Sequence, residues 1–364
     1  MILRATLSLS FLLSTLSLAL GEPALKRYSF SEPHMGTRFQ ILVYASRETQ
    51  AKKAARAAFE RIAALNAIMS DYDPASELMR LCRKSGGPPV KVSKDLFSVL
   101  SRAQKLADHS DGAFDVTIGP VVRLWRQARK TGKLPDRKAL ARARSLVGHD
   151  LIVFDRKAQT VQLKKKDMQL DLGGIAKGYA ADEALAVLSK HGLKRALVAA
   201  GGDIRVGAAP PDKKGWTVAI APLGRGQGSP GYFLLAGAAV STSGDLEQFV
   251  VIDGKRYSHI VDPRTGLGVL GRFSVSVIAP RGSDSDSLAT AISILGPERG
   301  RKLLEHYPGT SFRYVAQKDK ERQVFTSKGF PKLIPIEGGT GEKSRTNHRD
   351  AEDTEKTKKR SNHG

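Results

Sequence analysis

A chain of 364 residues, 41% hydrophobic and 26% charged, is long enough to bury a real core and has the composition of a globular protein. Its single cysteine, Cys82, excludes an internal disulfide, a cysteine-rich zinc site and a CxxC redox pair, and the eight dispersed histidines show no HxxxH or HExxH spacing. The formal charge of +23 comes from lysines and arginines scattered along helical stretches such as 51–61 and 123–146, with no basic block and no interleaved aromatics. That pattern argues against a nucleic-acid surface and for a solvated basic surface that draws in an anionic substrate.

In chain order, Arg4, the apolar run Leu7–Leu20 and the small-x-small triplet Ala19-Leu20-Gly21 form a signal peptide over 1–21. The run is too short and too rich in serine for a transmembrane helix, and no cysteine follows it to carry a lipid anchor. The expected mature protein is exported, soluble and periplasmic, and its lack of disulfides is compatible with that compartment. Residues 22–34 are an extended lead-in, and Arg38–Tyr44 alternates as a strand. Residues 47–69 place Ala55, Phe59, Ile62 and Leu65 at helical spacing. Ser93 caps a second helix whose apolar face is Leu96, Val99, Leu100, Ala103, Leu106 and Ala107. Asp108–Phe114 is a turn, and 126–146 is a basic helix pair broken at Pro135.

Leu151–Phe154 and Thr160–Leu163 form a hairpin ahead of the stretch "LDLGGIAKGYA" (170–180), which leads into a helix. Strands follow at 195–208, interrupted by Gly201-Gly202, and at 216–223, 231–244, 272–280 and 311–317, with a helix over 284–295 closed by Gly296 and Pro297. The tail 338–364 has almost nothing apolar, is expected to be disordered, and carries seven Lys/Arg against five Asp/Glu, so the basic character belongs to the body. Many strands with helices not in strict alternation predict an α+β fold with one domain over 22–337.

Four constellations carry possible chemistry. "DLGGIAKG" is neither a P-loop nor GxGxxG, but free N–H groups at a helix start with Lys177 in the first turn suit an anion. A tight glycine turn with a solvated lysine is the plainer account, and the segment alone does not choose between them. In "DSDSLATA", Asp286 and Thr290 are four apart and share a helix face. A carboxylate and a hydroxyl suit Mg²⁺; ordinary capping explains them as well. His259 and Asp262 are three apart in a polar segment that ends in the turn "DPRTG". Tyr72 lies in a turn broken by Pro74, placed either to stack on a planar ligand or to cover the core edge.

Taken in order, "DLGGIAKGYAAD", "AAGGDI", "STSGD", "HIVDPRTG" and "DSLATA" resemble the ApbE family of FAD:protein FMN transferases from about Met35 to about Phe330. The resemblance implies mixed, mostly antiparallel sheets with surrounding helices and an FAD cleft between two lobes. It implies transfer of FMN from FAD to a threonine or serine hydroxyl of an acceptor protein through a phosphoester, with release of AMP and with Mg²⁺ as cofactor. Carried over by motif, the metal would take Asp286, Thr290 and the carbonyl oxygens of Gly174 and Ala289; Gly174 is often alanine in the family. FAD would meet Met35, Tyr72, Ala113, Phe114, Asp115, Asp171, Lys177 and His259. His259 is the candidate general base with Asp262 to orient it, and Lys177 the catalytic cation. The acceptor implied is an exported or membrane-bound redox subunit. Two other readings use the same motifs: an Mg²⁺-dependent FAD pyrophosphatase, and a non-catalytic periplasmic FAD-binding protein. A nucleic-acid binder would instead show steep salt dependence and indifference to FAD.

Overall fold

Strand Thr37–Ala45 illustrates how this sequence makes a sheet: Phe39, Ile41, Val43 and Ala45 are buried while Arg38 and Gln40 face solvent, the period-two pattern of a strand with one face on the core. A computed structural model describes residues 24–220, 223, 231–245, 248–318 and 321–336. The signal peptide expected at 1–21 and the tail at 338–364 lie outside the described residues. Eight strands form the central sheet, in the order Lys26–His34, Thr37–Ala45, Ala196–Ala200, Asp203–Val206, Ala239–Gly244, Arg272–Ala279, Ser311–Lys318, Glu321–Thr326. Every strand pairing among the described residues is antiparallel.

The two faces of this sheet carry different layers. Phe39, Ile41, Val43, Ala196, Val198, Phe273, Val275 and Val277 join a core with the helices Glu48–Met69, Ala176–Lys190 and Gly282–Leu303. The alternate residues Leu197, Val206, Val240 and Ile278 turn to the other face and meet Trp216, Val218, Ile220, Phe233 and Leu235 of a small sheet. A third cluster joins the helices Gly119–Thr131 and Arg137–Arg144 to a three-stranded sheet, Phe249–Ile252, Lys255–Asp262 and Leu267–Leu270. Trp125 is its anchor, fully buried and donating its indole N–H to the Ser258 carbonyl at 3.1 Å. Among the described residues, no helix is long and apolar enough to cross a membrane.

The α+β expectation holds, with local corrections. Gly201-Gly202 turns a hairpin, with Ala200 paired to Asp203, and so separates two strands where one interrupted strand is expected. The 231–244 stretch likewise divides into Gly231–Leu235 and Ala239–Gly244. Gly296, at φ 76° and ψ 176°, kinks the last long helix ahead of Pro297, and the chain then continues helical to Leu303. The three-stranded sheet around His259 and the edge strand Glu321–Thr326 escape a reading by pattern, because their exposed residues break clean alternation.

Candidate active site

The floor of the site is where two helices start. Asp171 Oδ1 accepts the Gly173 N–H at 2.7 Å, an Asx turn that ends the preceding segment before the helix begins at Ala176. Gly178 then lies against Gly282, the first residue of the other helix: a Cβ on Gly178 would fall 2.0 Å from the Gly282 carbonyl oxygen. This approach lets Asp286 Oδ2 accept the Gly178 N–H at 3.0 Å. In return Asp182 accepts the N–H groups of Gly282 at 2.7 Å and Ser283 at 3.0 Å, capping the second helix from the first. Two of the N–H groups expected free at the Ala176 start are engaged: Ala176 donates to the Leu172 carbonyl at 2.9 Å, and the anion at Gly178 is Asp286 itself.

Lys177 crosses this floor. Its ammonium lies 2.7 Å from Asp203 and 3.6 Å from Asp286, with the Gly173 carbonyl at 3.5 Å. Both carboxylates are buried. Burial, and then repulsion from Asp203, push the Asp286 carboxyl up to about 7, while the two carboxylates hold Lys177 above its ordinary value. Thr290, four residues beyond Asp286, turns to the same cleft, and a Cβ on Gly174 would lie 3.1 Å from its hydroxyl. An alanine at 174 would also press the Phe114 ring at 3.1 Å, so glycine is the comfortable residue here.

The opposite wall carries Tyr72, 76% exposed, with the Arg126 guanidinium 4.3 Å from its ring centroid. Arg126 also bridges Asp71 at 2.6 Å and Asp171 at 2.9 Å, which ties the wall to the floor. His259 Nδ1 lies 3.2 Å from the Gln248 carbonyl. That contact makes Nδ1 the protonated nitrogen and leaves Nε2 as the acceptor. Burial pushes the imidazole down to about 4, so it is neutral at neutral pH.

These groups line one cleft of about 1210 Å³, beyond the ~300–1,000 Å³ typical of pockets for drug-sized ligands. Met35, Tyr72, Ala113, Phe114, Asp115, Asp171, Gly174, Lys177, His259, Asp286 and Thr290 all face it. Met35 reaches it from a hairpin turn in which Met35 and Gly36 have φ of 50° and 70°, the left-handed pair of a type I′ turn. Asp115 lines it with its Oδ1 occupied by the Thr117 N–H at 2.8 Å and hydroxyl at 2.7 Å. Two expected residues do not join them. Asp262 is taken by Arg264, 2.7 Å away, and caps the following turn, so the partner of His259 is the Gln248 carbonyl. The Ala289 carbonyl lies within its helix, where it accepts the Ser293 hydroxyl at 2.7 Å, and Ala289 is not among the residues that line the cleft. Pattern reading missed Asp203, Arg126 and Arg129. Asp203 stands in the quoted "AAGGDI"; the arginines belong to a helix that composition assigns to solvent.

A divalent cation fits this floor by charge and by donor type. Among the described residues no three His, Cys, Asp or Glu side chains gather as a metal group, so a cation would rest on mixed oxygens. Two buried carboxyl groups share one ammonium beside a hydroxyl and a carbonyl, the hard donors that Mg²⁺ prefers, and a bound cation would take the place of the proton that burial favours on Asp286.

A model of the ApbE family matches residues 35–313. An FAD:protein FMN transferase from Treponema pallidum (strain Nichols) is 35% identical over 313 residues, 81% of this chain and 86% of the relative. Another, from Vibrio cholerae, is 31% identical over 299 residues, 81% of this chain and 89% of the relative. The solved flavin transferase ApbE from Vibrio cholerae aligns with a TM-score of 0.76 at 29% identity, covering 84% of this chain and 98% of that one. The apo flavinyl transferase ApbE from Pseudomonas stutzeri aligns with a TM-score of 0.74 at 28% identity, covering 84% of this chain and 96% of that one. The sheet order, the cleft and these likenesses agree: the chain belongs to the ApbE family.

Proposed function

We propose that this chain transfers FMN from FAD to a threonine or serine hydroxyl of an acceptor protein and releases AMP. The acceptor oxygen attacks the phosphorus of the FMN half; the bond from that phosphorus to the bridging oxygen breaks, and the bridging oxygen leaves with AMP. The observation that carries the reading is the charged floor: Lys177 between buried Asp203 and Asp286, with Thr290 and Gly174 beside them in a cleft of about 1210 Å³. Such transfer asks mainly for positioning and charge neutralisation. Asp286, Thr290 and the Gly174 carbonyl would hold Mg²⁺, which neutralises pyrophosphate charge when bound. Lys177 supplies a fixed positive charge at the same floor. His259 Nε2 takes the acceptor proton, its ring orientation set by Gln248. Tyr72 presents an exposed aromatic face for the isoalloxazine. Export to the periplasm and an exported or membrane-bound redox acceptor complete the reading.

The test is AMP release from FAD with Mg²⁺, measured with and without a polypeptide carrying an acceptor threonine. Release that requires the acceptor supports transfer. Equal release without it makes the protein a pyrophosphatase, and no release under any divalent metal makes it a flavin-binding protein.

A further inference from the structure

Three cations face the cleft among the described residues, and two of them are already paired. Arg126 holds Asp71 and Asp171; Lys177 holds Asp203 and Asp286. Arg129 forms no ion pair among the described residues; its partner is the neutral side-chain oxygen of Gln248, 3.3 Å from Nη1. It is half-buried, and that burial, with Arg126 one turn away, depresses its pKa. A desolvated cation without a counter-charge is costly, and the carbonyls of the helix's last turn offset only part of that cost.

Gln248 also fixes where Arg129 points. The same residue that meets Arg129 through its side chain holds His259 Nδ1 through its backbone carbonyl, so guanidinium and imidazole flank one residue. Lys177 acts on His259 from the floor, as Arg129 does from the wall. The proton acceptor thus feels two cations, one committed to carboxylates and one not. Whatever phosphorus is attacked beside His259 lies within the field of both.

We propose that Arg129 is a phosphate-binding residue that grips the transferring phosphoryl group of FAD in the cleft it shares with Lys177. The proposal rests on the transferase reading. A planar guanidinium offers two N–H groups to phosphate oxygens, and charge spreads over those oxygens as the phosphoryl group moves.

The experiment compares FAD with riboflavin, which lacks the phosphates, by equilibrium binding to the wild-type protein, R129A and R129Q, each with Mg²⁺. R129Q keeps a polar side chain of similar reach, and circular dichroism with a melting curve shows whether each variant folds. The expected result is an FAD affinity about ten- to a hundredfold weaker in both variants, a shallower salt dependence, and an unchanged riboflavin affinity. FAD affinity unchanged in the folded variants, or riboflavin affinity lost in equal measure, overturns the assignment. A wild-type protein that binds riboflavin but gains nothing from the phosphates or Mg²⁺ instead refutes the transferase reading beneath it.

Discussion

Replacing Gly178 with alanine probes the junction on which the site depends. The added Cβ would lie 2.0 Å from the Gly282 carbonyl oxygen, 2.4 Å from its carbon and 2.8 Å from Asp286 Cβ. Two of those three atoms are backbone, so no rotamer change relieves the clash. Restoring an ordinary C···O separation of about 3.3 Å requires the two helix starts to part by roughly an ångström. Overpacking of this kind costs about 1–3 kcal/mol, and the backbone contacts place Gly178→Ala at the upper end, near 3 kcal/mol. Parting the helices also draws Asp286 away from the Gly178 N–H, now 3.0 Å, and disturbs its approach to Lys177. A misplacement of about 1 Å is worth up to about 10²-fold in rate. The assay is a melting curve with and without Mg²⁺, alongside turnover of FAD. Expected are a drop of several degrees in Tm, a smaller stabilisation by Mg²⁺ and a large loss of turnover. A Gly178→Ala protein with wild-type melting and wild-type turnover refutes the claim that this contact sets the site.

Asp286→Ala removes the central carboxylate and should abolish metal-dependent turnover while leaving a folded protein; normal activity would sink the metal assignment. Burial and repulsion from Asp203 push the Asp286 carboxyl up to about 7, so between about 4 and about 7 the folded protein holds a proton there that the unfolded chain, with its ordinary value of 3.8, has lost. Without metal, this group's contribution to stability therefore falls as pH rises from about 4 to about 7. Mg²⁺ binding near pH 6 should release close to one proton, read by calorimetry in buffers of different ionisation enthalpy. His259 has the opposite linkage: its value near 4 lies below the ordinary 6.5, so between these the unfolded chain binds the extra proton and stability rises with pH. His259→Gln should slow transfer by about 10²- to 10⁴-fold and spare FAD affinity; full transfer in that variant assigns the proton elsewhere. Tyr72→Ala, at a position 76% exposed, should change stability by no more than about 0.5 kcal/mol. Its FAD affinity should fall, as flavin fluorescence titration would show.

The residues that touch the cleft through a local pattern were legible in the chain. Asp286 and Thr290 announce themselves by helical spacing, and the turn at Asp171–Gly174 by its glycines. What spacing cannot carry is the meeting of distant segments. Asp203 matters because a hairpin at Gly201-Gly202 brings it to Lys177, and nothing within either segment encodes that distance. Arg126 and Arg129 look like solvent residues because they lie on the basic face of their helix; Val121, Trp125 and Ala128 are its buried stripe, and only the docking of Trp125 on the Ser258 strand brings the two arginines to the cleft. Asp262 misleads for the converse reason: three residues from His259 along a strand puts it beyond the ring's reach and beside Arg264 instead. In the sheet, strands with one buried face are legible, whereas the strands around His259 show exposed apolar residues such as Val251 and Leu270 and lose the signal.

The central claim is that FMN passes from FAD directly to an acceptor hydroxyl. Its most direct test is intact-mass and fragment-ion analysis of an acceptor polypeptide after incubation with the protein, FAD and Mg²⁺. The account predicts a gain of one FMN localised to a threonine or serine, with one AMP released per adduct and the enzyme's own mass unchanged. FMN bound covalently to the enzyme during turnover, or FAD cleaved with the acceptor left unmodified, would contradict it.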